Sequence, residues 1–210
     1  MSHDSAPRGV IDTAAETIDG FLAQLASGAP VPGGGAAAAL TVALAAALVS
    51  MACRVTRMRQ PDAPTEMDET AQWADRLRET ARRLGAEDSD AYARVVQARR
   101  QPPTERPAAV AEALKRATDV PVAVARAGRD VLVAAASVLA GARPSVRNDL
   151  GVAATLAWAG LEASAATARS NLPEVPDAAY VARTHKALGG LVDEGVRLKR
   201  QLDDGVTERR

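Results

Sequence analysis

The sequence predicts an all-α protein, a helical bundle built round a buried, alanine-rich central helix. Three observations predict it. Apolar residues make up 47% of the 210-residue chain but aromatic residues only 2%, so the apolar content rests on alanine, valine and leucine. Alanine is the best helix former, whereas strands favour aromatic and β-branched side chains. Apolar residues also recur at steps of three and four, and short proline- and glycine-containing breaks divide the chain into helix-length pieces. The length suits one domain spanning residues 1–210.

Residues up to about 10 read as a flexible arm. A first helix is expected from Thr13 to Ala26, because Thr13 and Glu16 have capping-box spacing and Ile18, Phe21, Leu22 and Leu25 follow at helical spacing. Ser27 to Gly35, with Pro30, Pro32 and three successive glycines, ends it. Ala36 to Cys53 carries no charge, a length and composition that would also suit a transmembrane span. Its alanine content and the polar Thr41 and Ser50 favour the central helix of a bundle instead. After a break at Pro61–Pro64, Thr65 with Asp68 marks the start of a long helix to Arg99, stopped by Pro102-Pro103. A helix from Arg106 to Ala140 contains Pro121, which should kink or divide it. The next runs from Ser145 to Ser170, with Asn171 as a C-terminal cap, and the last from Asp177 to Asp204.

Charge narrows the function classes. Lys plus Arg (26) equals Asp plus Glu (26), so nothing recommends nucleic acid or an anionic membrane as a partner. Cys53 is the sole cysteine, and His3 and His185 are isolated, which speaks against a zinc site. Met1 to Arg8 is polar, so the cytoplasm is the expected location.

The long third helix holds the most informative anomaly. Trp73, Leu77, Ala81, Leu84, Ala91 and Val95 trace one face, and Asp88 falls on the same stripe. A carboxylate there needs a partner or a purpose, since an unpaired buried charge is costly. It can serve as a general acid or base, or form an ion pair with an arginine of a neighbouring helix; spacing leaves both open. Asp149 aligns with Val152, Leu156, Gly160 and Ala163, but an acid in a first helical turn is favoured electrostatically in any case. Asn148 beside it suits a cap or a ligand contact. The Pro32-Gly33-Gly34-Gly35 turn offers backbone amides at a helix start, a seat for an anion or a means of close helix packing. Arg54, Arg57 and Arg59 suit a solvated helix end better than an anion site.

Several stretches together resemble one family: methenyltetrahydrofolate cyclohydrolase and the cyclodeaminase domain of formiminotransferase-cyclodeaminase. They are Phe21-Leu22 to Ser27, then Pro30 to Leu40 and Ser50-Met51 to Thr56; Asp88-Ser89-Asp90-Ala91-Tyr92; Val120-Pro121; and Asn148 to Ala154 with Asn171-Leu172. Arg57-Met58-Arg59-Gln60-Pro61 departs from the family's Gly-Lys-rich run. The resemblance implies an all-helical homodimer acting on a tetrahydrofolate derivative as substrate, without metal or further cofactor and without nucleic-acid or membrane partners. It implies catalytic roles for Asp88 and Asp149, and substrate binding by Ser27, Pro32, Gly33, Gly34, Gly35, Tyr92 and Asn148. The expected activity is hydrolysis of the N5,N10-methenyl bridge to 10-formyltetrahydrofolate, which a chain too short for a formiminotransferase domain favours. The alternatives are a formimidoyltetrahydrofolate cyclodeaminase and a non-catalytic folate-binding or assembly protein.

Overall fold

The computed structural model describes residues 17–207, and the expected arm and the Thr13–Glu16 capping box lie outside them. The described part is all-helical: α1 (Ile18–Leu25), α2 (Gly34–Arg59), α3 (Glu66–Ala98), α4 (Arg106–Leu139), α5 (Pro144–Asn171), a 3-10 turn (Leu172–Glu174) and α6 (Ala178–Thr207). Thr17 caps α1, its hydroxyl accepting from the Gly20 N–H at 3.1 Å. Thr65 precedes α3 without a side-chain cap bond, and Asp68 turns instead to Arg57.

Helix α2 lies between α3 and α5 and touches α4, while α6 covers α4 and α5. It runs antiparallel to both flanking helices: Gly85 of α3 faces Ala36 and Ala39, Ser50 bonds to Asp75, and Gly160 of α5 faces Ala38 and Val42. Ala39, Val42, Ala45, Ala46, Val49, Ala52 and Cys53 of α2 are shut off from solvent, as the charge-free sequence requires. Burial pushes the Cys53 thiol up to about 11, which keeps it an inert small apolar group.

Pro121 neither divides α4 nor ends it. A proline cannot donate to the carbonyl four residues earlier, here Ala117, so that oxygen needs another donor. Asn171 supplies it, its Nδ2 donating to the Ala117 oxygen at 2.9 Å. Asn171 is therefore not the C-terminal cap expected from its position. Its backbone is right-handed helical (φ −84°, ψ −26°) and the chain continues into the 3-10 turn.

Close approach of α2 and α5 depends on Gly160, where a Cβ would lie 2.5 Å from Val42 Cγ2 and 3.0 Å from the Ala38 carbonyl oxygen. Gly160→Ala is expected to force the helices apart and destabilise the fold by about 1–3 kcal/mol. Thermal denaturation checks this, at roughly 2–4 °C of Tm per kcal/mol; an unchanged Tm would refute the tight contact.

Candidate functional site

The beginning of α2, the second half of α3 and the end of α5 enclose a cleft of about 410 Å³. Gly33 precedes α2 with extended backbone (φ −122°, ψ −159°) and no side-chain cap, so the first amides of α2 are free to bind other groups. One of them, the Ala36 N–H, lies on the Asp88 carboxylate and favours its ionised form.

Asp88 reaches this place because residue 35 has no side chain. A Cβ built on Gly35 would collide with the Asp88 carboxylate, Oδ1 and Oδ2 alike. Three residues earlier, Gly85 lets α3 pass close to Ala36 and Ala39. Burial raises the Asp88 pKa above its ordinary value, and the Ala36 N–H offsets part of that rise. Among the described residues no lysine or arginine pairs with Asp88, so the ion-pair alternative does not hold within them. The result is a half-buried carboxyl, partly desolvated, aimed at a helix start.

The structure brings Gly33, Gly34, Gly35, Asp88 and Tyr92 together as lining of this one cleft. Gly34 has open space where a Cβ would point, and Tyr92 is 47% exposed, a free aromatic face one turn beyond Asp88. Pro32 is buried behind the lining. Ser27 does not line the cleft; its hydroxyl donates to the Gln24 carbonyl and accepts from the Ala29 N–H, finishing α1.

Asn148 and Asp149 lie elsewhere in the chain and do not line this cleft, which corrects the expectation that they form one pocket with Asp88. Both sit in the first turns of α5, whereas its last residues, Thr167 and Asn171, line the cleft. The helix is unbroken, and 23 residues at 1.5 Å each separate Asn148 from Asn171 by about 35 Å. Asn148 lines a shallow groove with Asp203 and Val206 of α6 instead.

Four polar lining residues were not singled out from sequence as ligand contacts: Arg99, Thr167, Asn171 and Glu174. Arg99 continues the stripe of Asp88, Tyr92 and Val95, so extending that face by one turn would have found it. At the rim, Arg99 Nη2 meets Glu174 Oε2 at 2.6 Å, tying α3 to the 3-10 turn. Two of the three arginines at the other end of α2 are occupied. Arg54 pairs with Asp75, and Arg57 with Asp68 and the carbonyls of Pro61 and Ala63.

Two pairs of variants test this geometry. Gly35→Ala should displace Asp88 and reduce kcat at least tenfold, whereas Gly34→Val should chiefly raise KM by filling ligand space; identical effects on both parameters would contradict the arrangement. Pro121→Ala restores an N–H for the Ala117 carbonyl and competes with Asn171. It should weaken ligand binding several-fold without lowering Tm, and Asn171→Ala should do the same to binding; tight binding by both would remove Asn171 from the site.

Residues 17–189 match the family model described as formiminotransferase-cyclodeaminase. The chain is 36% identical over 199 residues to a methenyltetrahydrofolate cyclohydrolase of Methylorubrum extorquens, covering 91% of this chain and 96% of that protein. Its fold is similar to the crystal structure of formiminotetrahydrofolate cyclodeaminase from Thermotoga maritima. The TM-score is 0.87 at 22% identity, over 93% of this chain and 98% of the other. With most of its length matched by the family model, and a relative of that identity aligned almost end to end, the chain belongs to the formiminotransferase-cyclodeaminase family.

Proposed function

We propose that this protein is a methenyltetrahydrofolate cyclohydrolase, with Asp88 as its catalytic carboxylate. The observation that carries the reading is a half-buried carboxyl, without a cationic partner among the described residues, facing a cleft at a helix start. The 36% identity to a cyclohydrolase supports the choice of reaction.

The chemistry suits that carboxyl. The methenyl bridge is an amidinium-like cation, which a partly desolvated carboxylate stabilises strongly. Asp88 takes a proton from water as the water oxygen bonds to the bridging carbon. Breaking the bond from that carbon to N5 requires a proton on the nitrogen, and the protonated Asp88 returns it. The hydroxyl proton of the adduct leaves to solvent as the formyl carbonyl forms on N10. One water is consumed, one proton is released and Asp88 ends ionised; no step calls on a metal or further cofactor.

The open face of Tyr92 offers a stacking surface for an aromatic part of the substrate. Arg99 at the rim offers a cation for its carboxylate tail, which would take the place of Glu174 on the guanidinium. A cytoplasmic homodimer completes the proposal.

A cyclodeaminase uses the same cationic carbon but expels ammonia, and the family match fits that reading too. Loss of methenyltetrahydrofolate absorbance, measured beside ammonia release from formimidoyltetrahydrofolate, separates the two. Hydrolysis above the uncatalysed rate without ammonia release is expected; neither activity would leave a folate-binding or assembly protein.

Asp88→Asn should lower kcat by at least about 10²-fold, the usual scale for a lost general base, with the helical circular dichroism unchanged. In the wild type the carboxylate is the active form and its pKa is raised. The rate should therefore fall on the acid side with a midpoint above about pH 4, the ordinary carboxylate value. Full activity of Asp88→Asn would end the assignment.

A further inference from the structure

Ser164 lies within α5 with none of its surface exposed, and among the described residues its hydroxyl has no hydrogen-bond partner. Three buried side-chain atoms of the described residues share that condition, and the other two belong to arginines. On the same helix, the hydroxyls of Thr155 and Thr167 donate to the carbonyls four residues earlier, at 3.0 Å each. A helical serine can do the same, yet Ser164 is turned elsewhere. A buried hydroxyl without a partner is costly, so its direction calls for a reason.

Contacts within the bundle give that direction. Gly160 stands against Ala38 and Val42 of α2, and the two helices are antiparallel. One turn further along α5, Ser164 is therefore level with residues 34–38, the start of α2. Four residues also rotate its side chain by about 40° from the Gly160 direction. The rotation is towards α4, because Ala157 and Leu161, further round in the same sense, pack on Gly128 of that helix. Three residues on, Thr167 lines the cleft.

Asp88 enters the same space from the other side. Gly85 of α3 marks one face of α2 at Ala36 and Ala39, and Gly160 marks another at Ala38 and Val42. Gly35 points between the two, and the Asp88 carboxylate occupies the place where its Cβ would lie. Helix α4 closes this space with apolar groups. Asn171 bonds to Ala117, and Gly128 lies beside Ala157 and Leu161. Pro121, Val124 and Ala125, all buried, are therefore level with Ser164. Asp88 is left as the polar side chain opposite the Ser164 hydroxyl.

We infer that Ser164 positions the attacking water: its hydroxyl and the Asp88 carboxylate hold the water between them as the bridging carbon approaches from the cleft. The inference rests on the cyclohydrolase reading above and adds a residue to it. A buried water needs at least two polar partners, and Asp88 alone supplies one. With one O–H donated to Asp88 and the other to Ser164 Oγ, the water turns a lone pair towards the cleft. Asp88 still takes the proton as the carbon–oxygen bond forms, and Ser164 keeps its own hydrogen, so the balance of the reaction is unchanged.

Ser164→Ala tests this. Alanine suits a helix and removes an unbonded buried hydroxyl, so the variant should keep or raise Tm. Its kcat should nevertheless fall roughly tenfold with KM within about twofold of wild type, because the water is misplaced while the folate contacts remain. Ser164→Gly makes room for a second water in place of the hydroxyl. Of the two variants it should have the lower Tm but the higher kcat, an order that a packing role would reverse.

Asp88 gives a readout that needs no turnover. In Ser164→Ala its carboxylate loses the hydrogen bond of the ordered water, which disfavours the ionised form. Its titration midpoint, followed by carbon NMR of labelled aspartate and assigned with Asp88→Asn, should move to higher pH. Arg99 and Glu174, the other charged residues lining the cleft, pair with each other and leave that shift to the water.

Wild-type kcat in Ser164→Ala overturns the inference and leaves the cyclohydrolase reading standing. So does an unmoved Asp88 midpoint, or a glycine variant less active than the alanine one. A wild-type protein that does not hydrolyse methenyltetrahydrofolate removes the reading itself, and the role of Ser164 with it.

Discussion

The contact between the bare α-carbon of Gly35 and the carboxyl group of Asp88 is the constraint on which the site depends. It requires α2 and α3 to run closer together than side chains normally permit, and Gly85 with Ala36 and Ala39 provides that closeness. Gly160 does the same between α2 and α5. Helices packed through glycine and alanine leave little room for repacking, because neighbouring backbones are themselves in contact. The position of the carboxylate is consequently set by the core of the bundle rather than by a mobile loop.

Backbone groups left free by one element are taken up by another in this arrangement. The uncapped start of α2 leaves an amide for Asp88, and Pro121 leaves a carbonyl for Asn171. Both receiving side chains line the cleft. A proline inside a helix and a glycine run before one are locally unfavourable features. Here each frees a hydrogen-bonding group that orients a polar side chain, which explains how such residues sit within otherwise regular helices.

The functional groups divide between the two ends of α2. At its beginning are the glycines, Asp88, Tyr92 and the rim ion pair of Arg99 with Glu174. At its other end Arg57 and Arg54 are held by Asp68 and Asp75, and the second turn of α5 carries Asn148 and Asp149.

Much was legible in the sequence because it rests on short-range periodicity. The charge-free run, the apolar stripe of α3 with Asp88 upon it, and the breaks at Pro32, Pro61 and Pro102 all follow from spacing and backbone chemistry. Tertiary structure alone decided which ends of the long helices meet. Asp149 has the same local signature as Asp88, an acid on an apolar face, yet α5 carries it about 27 Å from Thr167 and about 33 Å from Asn171, which line the cleft. Asn171 looked like a cap because its role depends on a carbonyl freed by a proline 50 positions earlier. Helical periodicity says which residues share a face; only the packing of one helix on another says what that face meets.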